Sequence, residues 1–225
     1  MLIIAEFGSS PAAQHWPLDR WCEGARAASA DAVKVQLFQA GHFPEGEQDS
    51  KRALEFPRGY IHDFAIIAHA HGLSAGASVF DTQAADLAAR YCDFMKLAAR
   101  EQVNSDLTDY AVELATRRNI PLYRSISNTK YFVQSPSTVT LFTIQSYPAG
   151  ISRSLVALFR AAVFFNARGA KWGWSSHTRG DLDCVIAKRM GASVLEKHFA
   201  LGKTDLEAGH SLLPHEFSRM VEKCQ

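Results

Sequence analysis

Short apolar, β-branched runs alternate along this chain with longer segments of helical periodicity, and this alternation constrains the fold more than any other feature. It is typical of βαβ units, in which parallel strands are covered by helices. Eight runs resemble buried strands, and eight strands close a barrel. They are residues 2–6, 32–38, 74–80, 93–98, 121–126, 138–145, 170–175 and 192–196. The sequence therefore predicts an α/β fold, a TIM-type (β/α)8 barrel.

One crossover of this barrel is too short for an ordinary helix. Predicted helices cover residues 18–28, 56–71, 82–91, 105–118, 152–167, 182–190 and 214–223. Only residues 127–137 remain between the fifth and sixth strands, so we expect a shortened barrel that lacks this helix. The uncovered strand would expose apolar surface. We expect a second copy of the chain to cover it, with inward packing of Tyr131 and Phe132 as the alternative.

The composition narrows the partners and the location. The 225 residues, 47% of them hydrophobic, can bury one sizeable core, and no linker divides residues 1–225, so we expect a single domain. The 24 basic and 23 acidic side chains nearly cancel, which argues against nucleic acid and membranes as partners. No apolar stretch approaches the roughly 18 residues of a membrane span, and the cysteines form no CxxC pair. We expect a cytoplasmic protein.

Polar side chains end several of the predicted strands. In a parallel barrel the active site lies at the carboxyl ends of the strands, so these residues are the first candidates for chemistry. A charge within a buried strand is costly unless it meets a ligand or a partner. The candidates are Glu6, Lys34, Gln36, Lys96, Ser125, Gln145, Tyr147, Ser175, His177, Lys197 and His198.

Two lysines are the clearest of these charges. Lys34 lies between Val33 and Val35 in a strand predicted to be buried on both faces, and Lys96 interrupts the fourth strand. Two ammonium groups at one barrel mouth suit a small, doubly anionic ligand such as a phosphorylated carboxylic acid. We expect Lys34 to contact an anionic ligand rather than a structural carboxylate. The alternative is a lysine whose stem packs while its ammonium group reaches water or a carboxylate.

Two histidines follow neighbouring strands near the end of the chain. Because both imidazoles can reach one point above the barrel, His177 and His198 are a candidate site for a divalent metal. Glu6 and Glu207 are available to complete its coordination. The alternative is two ordinary loop histidines. The role of His210, close to Glu207, stays open at this point.

Several of these fragments, in order, resemble the barrel domain of the N-acetylneuraminate synthase family, which includes the pseudaminic and legionaminic acid synthases. Residues 4–8 resemble its Ile-Ala-Glu-x-Gly, and residues 31–36 resemble its Asp-Ala-Val-Lys-Phe-Gln. Residues 146–148, 173–178 and 196–199 resemble its Ser-Tyr-Pro, Gly-Tyr-Ser-Asp-His-Thr and Glu-Lys-His-Phe. The resemblance implies condensation of phosphoenolpyruvate with an aldose, an N-acyl amino sugar, to give a nonulosonic acid or related 3-deoxy keto acid with phosphate release.

The resemblance also implies roles for individual residues. His177 and His198 would hold a divalent cation, usually Mn²⁺ with Mg²⁺ or Co²⁺ as alternatives, which polarises the sugar aldehyde. Glu6 would lie beside the reacting centre. The residues that would bind phosphoenolpyruvate are Lys34, Lys96, Ser125 and Ser175, and those that would contact the sugar are Gln145, Tyr147 and Glu207, with Gln36 also placed among the substrate-binding residues. The family also implies a homo-oligomer.

The chain departs from the family pattern at several positions. Val79 and Ala99 stand where the pattern has hydroxyl residues, and Ser176 replaces an aspartate. Each lost hydrogen bond to a charged ligand costs roughly 1.5–3 kcal/mol, unless Arg100 or Arg124 compensates. The chain also ends at Gln225, so we expect no C-terminal antifreeze-like domain.

These departures leave two other functions open. One is a non-catalytic barrel that binds a sugar or a sugar acid. The other is an aldolase or lyase that uses Lys34 or Lys96 as a Schiff-base amine, which the neighbouring histidine pair argues against.

Overall fold

The computed structural model describes residues 1–14, 17–135 and 137–225. Eight parallel strands pair in chain order, and the last strand pairs with the first to close a barrel. The strands are β1 (Leu2–Glu6), β2 (Ala32–Gln36), β3 (Ser74–Val79), β4 (Phe94–Leu97), β5 (Leu122–Ile126), β6 (Thr138–Thr143), β7 (Trp172–Ser176) and β8 (Val194–His198). The predicted TIM-type barrel is confirmed.

The described residues form helices between the strands and after the last one. They are α1 (Ser10–Gln14), α2 (Leu18–Ala27), α3 (Glu45–Arg52), α4 (Ile61–Ala70), α5 (Thr82–Tyr91), α6 (Ser105–Arg118), α7 (Ile151–Asn166), α8 (Leu182–Arg189) and α9 (Pro214–Cys224). Among them, α3 reaches the mouth of the cavity at the carboxyl ends of the strands through Lys51. The helix predicted from residue 56 begins only at Ile61, because Pro57 is extended and a 3₁₀ turn follows it. The sequence did not predict α1 or α3, and α3 buries none of its residues, so it lacks an apolar stripe.

Alternation along the strands divides the core into two parts. An inner cluster fills the amino-terminal half of the barrel, and a larger one lies between the strands and the helices. Gly76 faces the inner cluster, where a Cβ atom would lie 2.1 Å from the ring of Phe94. The inner cluster consists of Ile4, Ala32, Phe94, Tyr123, Leu141 and Val194. The carboxyl-terminal half of the interior is therefore left to polar side chains.

The short crossover between β5 and β6 covers its own side of the barrel. Residues 127–135 and 137 contain a 3₁₀ turn, Thr129–Tyr131, but no α-helix, which confirms the missing helix within the described part of this segment. Tyr131 and Phe132 pack against the core, and the Phe132 ring lies 5.5 Å from Phe164 and 5.2 Å from Phe165. The loop therefore packs inward, which was the alternative expectation, whereas coverage of this side by a second copy stays a prediction.

Two further features bear on the expectations from composition. Cys22, Cys92, Cys184 and Cys224 are all buried and form no disulfide in the described structure. Within residues 1–14, 17–135 and 137–225, no helix combines the length and the apolar character needed to cross a bilayer.

Candidate active site

A cavity of about 590 Å³ opens at the carboxyl ends of the strands. Apart from the candidate Lys197, which faces the helices, all of the predicted site residues line it, so the structure brings them together. They are Glu6, Lys34, Gln36, Lys96, Ser125, Gln145, Tyr147, Ser175, His177, His198 and Glu207. Their individual roles remain predictions.

Two lysines share one glutamate at the centre of the cavity. Glu196 lies with Oε1 2.5 Å from Nζ of Lys96 and with Oε2 3.7 Å from Nζ of Lys34. The Ser175 hydroxyl donates to the same Oε1 at 2.7 Å. The three charged side chains are at most 7% exposed, so each needs a partner inside the protein. The arrangement makes Glu196 the shared counter-ion of the two lysines.

Lys34 has further partners besides Glu196. Its ammonium group contacts the carboxylate of Glu6 and donates to the Ser78 hydroxyl at 2.5 Å. We expected Lys34 to contact no structural carboxylate, and that part of the expectation is wrong, because Glu6 and Glu196 are its partners. A buried ammonium group needs a counter-ion before any ligand arrives. Binding of an anionic ligand by Lys34 stays a prediction.

These contacts set the protonation of the network. Burial favours neutral Lys34, but the carboxylates of Glu196 and Glu6 outweigh it, so the pKa of Lys34 is raised. Burial lowers the pKa of Lys96, because it outweighs the attraction of Glu196 and the charge of Lys34 adds to it. Burial opposes the charge of Glu196, but the two ammonium groups overcome it and hold the pKa of this carboxyl well below its ordinary value.

Glu6 is fixed in orientation by three contacts. Its Oε1 accepts from the Gln36 side chain at 2.7 Å and from the Gly8 amide at 3.0 Å, while Oε2 faces Lys34. Gly8 has a φ of +56°, and a Cβ atom on it would lie 2.0 Å from Oε2 of Glu207. A glycine is therefore required where the first strand turns away from the cavity.

His177 follows β7 and is held through Nδ1. This nitrogen lies 2.6 Å from the carbonyl oxygen of Ile144 and 3.3 Å from the hydroxyl of Thr143. The carbonyl favours the tautomer with its proton on Nδ1, which leaves the lone pair on Nε2. Burial, with the neighbouring imidazole of His198, lowers the pKa of His177 well below its ordinary value. His177 is therefore neutral at pH 7, the form in which histidine binds metals.

His198, the last residue of β8, is held by a carboxylate. Its Nδ1 lies 2.7 Å from Oε2 of Glu207, and its ring centre lies 5.4 Å from that of His177. Burial would raise the pKa of Glu207, but His198 outweighs it, so this pKa is lowered. The Ser9 amide also donates to Glu207, at 2.9 Å. Both imidazoles thus have Nδ1 engaged beside the same cavity.

His210, whose role the sequence left open, lies in the same corner. Its Nε2 is 3.7 Å from Oε2 of Glu207, and its ring centre is 4.5 Å from that of His198. Potential ligand atoms of His198, Glu207 and His210 all lie within 4.8 Å of one another. These three residues are a second grouping that can hold a metal ion.

Of the two positions predicted to have lost a ligand-binding hydroxyl, Val79 and Ala99, only Ala99 faces the cavity. Val79 points into the packing layer behind the strands, whereas Ser78 lines the cavity and hydrogen-bonds Lys34. A hydroxyl at position 79 would not reach the ligand, because successive strand residues face opposite sides. Ala99 does line the cavity, so the loss at this position stands.

Only one of the two candidate compensating arginines lines the cavity. The Arg100 guanidinium donates to the carbonyl of His42 at 2.7 Å and lies 4.3 Å from the ring centre of Phe43. Arg124 instead donates to backbone carbonyls at 3.0 Å and 3.2 Å outside the cavity lining. Arg100 can therefore offset the loss at Ala99, while Arg124 is committed to the backbone.

The remaining predicted residues lie around the rim and the floor. The Ser125 hydroxyl is buried at the floor and has no hydrogen-bond partner among the described residues, so it is free to bind a ligand. Tyr147 lies at the mouth, 57% exposed, with its ring centre 4.1 Å from that of His177. Gln145 is exposed and accepts from Ser127 at 3.5 Å.

The prediction missed part of the cavity lining. Glu196 could have been predicted, because it is a charged residue within the apolar run of β8. The cost of a charge in a buried strand is the argument that selected Lys34. Lys51 and Phe43 come from a segment without periodicity, and no local pattern indicates them. The missed lining residues are Ser9, Phe38, Phe43, Lys51, Ser78, Phe80, Ala98, Thr143 and Glu196.

Lysines, carboxylates and histidines thus meet at the carboxyl ends of the strands of a TIM-type barrel. The NeuB family model matches residues 22–225, so this chain belongs to the NeuB family, and the predicted resemblance is confirmed. A pseudaminic acid synthase of Helicobacter pylori is 30% identical over 159 residues, which cover 65% of this chain and 45% of that protein. An uncharacterised protein of Methanocaldococcus jannaschii is 25% identical over 215 residues, 88% of this chain and 62% of that protein. The chain thus spans less than two thirds of either relative.

Solved structures share the fold. An N-acetylneuraminic acid synthetase from Leptospira borgpetersenii superposes with a TM-score of 0.83 at 20% identity, covering 99% of this chain and 82% of that one. A spore coat polysaccharide biosynthesis protein from Bacillus subtilis gives a TM-score of 0.79 at 24% identity, with coverage of 99% and 66%. These likenesses concern the fold.

Proposed function

We propose that this protein condenses phosphoenolpyruvate with an aldose, an N-acyl amino sugar, to give a nonulosonic acid or related 3-deoxy keto acid and phosphate. One observation carries the proposal: two buried lysines that share Glu196 lie in the same cavity as two imidazoles whose Nδ1 atoms are engaged. The name of the related pseudaminic acid synthase supports the same class of reaction.

The lysines would receive phosphoenolpyruvate. Lys34 and Lys96 offer positive charge in a buried setting, where attraction to an anion is stronger than in water. The unpartnered hydroxyl of Ser125 and the hydroxyl of Ser175 lie in the same lining and can donate to its carboxylate or phosphate. The Arg100 guanidinium adds a further donor.

The two histidines fit a divalent metal, Mn²⁺ foremost, with Mg²⁺ or Co²⁺ as alternatives. A metal-binding histidine usually has its second nitrogen fixed by a carbonyl or carboxylate, as Ile144 and Glu207 fix those of His177 and His198. The neutral His177 imidazole also suits this role. When bound, such a metal supplies a Lewis acid that polarises the sugar aldehyde.

The chain's own residues would organise the reacting groups. A carbon–carbon bond forms between the methylene carbon of phosphoenolpyruvate and the aldehyde carbon, water adds at the phosphate-bearing carbon, and the bond to phosphate breaks. Glu6, held by Gln36 and the Gly8 amide, would place negative charge beside the carbon that becomes cationic. Tyr147 and Gln145 at the mouth would contact the sugar, together with Glu207.

Phosphate release tests the proposal directly. Purified protein is incubated with MnCl₂, phosphoenolpyruvate and a panel of aldoses, and the keto-acid product is identified by mass spectrometry. We expect release that depends on both the aldose and the metal. A Lys34→Met variant should be inactive, whereas Lys171→Met, at an exposed residue before β7, should match the wild type. Sugar binding without release under any condition would favour the non-catalytic barrel.

We further propose that the protein is a homo-oligomer that acts in the cytoplasm. The outer face of α7 exposes an apolar stripe, with Val156, Phe159 and Val163 exposed by 54%, 63% and 58%. Because a two-fold axis pairs identical surfaces, such a stripe can bury itself against a second copy. The buried, unpaired cysteines fit a reducing compartment.

A further inference from the structure

Lys197 is buried on the side of β8 that faces away from the cavity. Glu196 and His198 line the cavity, so the residue between them points into the layer under the covering helices. Lys197 is 0% exposed. Burial lowers its pKa, and Cys184 and Asp183 offset this only in part. An amine in this layer is costly, so its partners deserve a functional explanation.

Both partners of Lys197 flank His177. Its Nζ donates to the hydroxyl of Ser176 at 3.2 Å and to the backbone carbonyl of Thr178. Ser176 is also the residue that pairs with Lys197 between β7 and β8. Lys197 therefore hydrogen-bonds the residue immediately before His177 and the residue immediately after it.

Asp183, in the first turn of α8, holds the same two residues from the other side. Its Oδ1 accepts from Ser176 at 3.1 Å and from the Thr178 hydroxyl at 2.8 Å, and its Oδ2 accepts from Trp174 Nε1 at 2.8 Å. Asp183 is 0% exposed. The Ser176 hydroxyl thus gives its proton to Asp183 and accepts one from Lys197.

This network fixes a segment whose single cavity-facing side chain is His177. The carbonyl of His177 accepts from the Ala149 amide at 2.8 Å, and its Nδ1 is 2.6 Å from the carbonyl of Ile144. The direction of an imidazole depends on the backbone that carries it, so contacts at Ser176 and Thr178 decide where Nε2 points. The related motif carries a carboxylate at position 176, whereas here the carboxylate comes from α8.

We propose that Asp183 and Lys197 are positioning residues for His177, which act through Ser176 and Thr178 to aim its Nε2 at the ligand. That this ligand is a metal rests on the proposed function. The orientation and the tautomer of the His177 ring do not depend on the proposed function, so they can be tested separately.

The test compares three variants: Asp183→Asn, Lys197→Met, and Ser176→Asp combined with Asp183→Asn, which moves the carboxylate next to Lys197. Calorimetry measures Mn²⁺ affinity, and nitrogen NMR of the metal-free protein reports the tautomer of His177. We expect Mn²⁺ affinity to fall roughly 10–100-fold in the two single variants. In the single variants we also expect His177 to lose the signal of a single Nδ1-protonated tautomer. The combined variant should recover both the Mn²⁺ affinity and this signal.

Asn166→Ala is the matched control. Asn166 accepts from Trp172 Nε1 at 2.9 Å, as Asp183 does from Trp174, but it lies behind the opposite end of β7. It should lower the melting temperature without changing the His177 signals. If the Asp183 and Lys197 variants behave like this control, the network is only structural and the proposal is overturned. If the wild type binds no Mn²⁺, the metal centre fails, and the NMR comparison still decides the positioning role. Should Lys197→Met not fold, Ser176→Ala removes the bridging hydroxyl instead.

Discussion

Replacing Glu196 with glutamine tests whether one carboxylate keeps the two buried lysines charged. The variant preserves shape and removes the negative charge that lies 2.5 Å from Lys96 and 3.7 Å from Lys34. Lys34 retains Glu6 as a counter-ion. Lys96, by contrast, loses its one ion pair within the described part of the chain. The cost should therefore fall on Lys96.

The magnitude follows from the protonation of this lysine. At about 1.4 kcal/mol per pKa unit, neutralising a lysine of ordinary pKa 10.5 at pH 7 costs about 5 kcal/mol, which is the most that can be lost through Lys96. Removing one partner of a buried ion pair costs about 3–5 kcal/mol. We therefore expect Glu196→Gln to lower the free energy of unfolding by about 3–5 kcal/mol at pH 7.

The pH dependence distinguishes this cause from simple loss of packing. In the variant, Lys96 is neutral when folded and charged when unfolded, so the unfolded state binds the extra proton and rising pH favours folding. The difference from wild type should shrink by about 1.4 kcal/mol per pH unit as pH rises from about 7 toward the lowered pKa of Lys96 in the wild type. In the wild type, the depressed pKa of Glu196 contributes stability that is full above its ordinary 4.5 and is lost as pH falls below it. The difference should therefore also shrink in acid.

Urea unfolding followed by circular dichroism at neutral, alkaline and acidic pH measures these differences. Asp86→Asn is the control, because this exposed carboxylate bonds only the Tyr110 hydroxyl among the described side chains. It should change the free energy of unfolding by less than about 0.5 kcal/mol. A loss below about 1 kcal/mol in Glu196→Gln, constant across pH, would refute the role of Glu196 as shared counter-ion.

Three further predictions concern the ligand, the metal and the assembly. Lys34→Met should fold but lose phosphoenolpyruvate binding by calorimetry; retained binding would contradict the assignment. His177→Ala and His198→Ala should each lower Mn²⁺ affinity by more than the roughly 10–100-fold typical of replacing a residue that hydrogen-bonds a metal ligand. His210→Ala should lower Mn²⁺ affinity by less than either of them. A larger effect of His210→Ala than of His177→Ala would instead favour the grouping with Glu207. Phe159→Glu should weaken self-association in sedimentation equilibrium, and a wild-type protein that is monomeric at high micromolar concentration would exclude the oligomer.

The barrel could be predicted from the sequence because its strands are buried on both faces and therefore read as apolar runs. The strand ends were less well defined. The second strand ends at Gln36 rather than at residue 38, since Leu37 and Phe38 stay buried in the loop beyond the ladder. The α3 helix escaped prediction because its residues pack against nothing that would impose an apolar stripe.

The site was predictable where chemistry and burial conflict within one strand. That conflict identified Lys34 and Lys96, and it applied equally to Glu196, which the prediction passed over. The assignment of Val79 failed for a different reason, because a motif match gives residue types but not the face to which they point. The carbonyl that fixes His177 lies 33 residues away, so no local pattern could show this contact. Glu207, which fixes His198, lies nine residues away and was predicted at the site, but as a metal ligand rather than as the partner of Nδ1.

The Glu-Lys-His run of β8 shows why strand alternation matters for function as much as for folding. Glu196 and His198 face the cavity and would meet the ligand, whereas Lys197 faces the helices and meets the segment that carries His177. One short strand therefore contributes both to the reactive surface and to the layer that holds it in place. Substitutions at positions 196 and 198 should act on ligand binding directly. A substitution at position 197 should act only through the geometry of the neighbouring strand, although it lies between them in sequence.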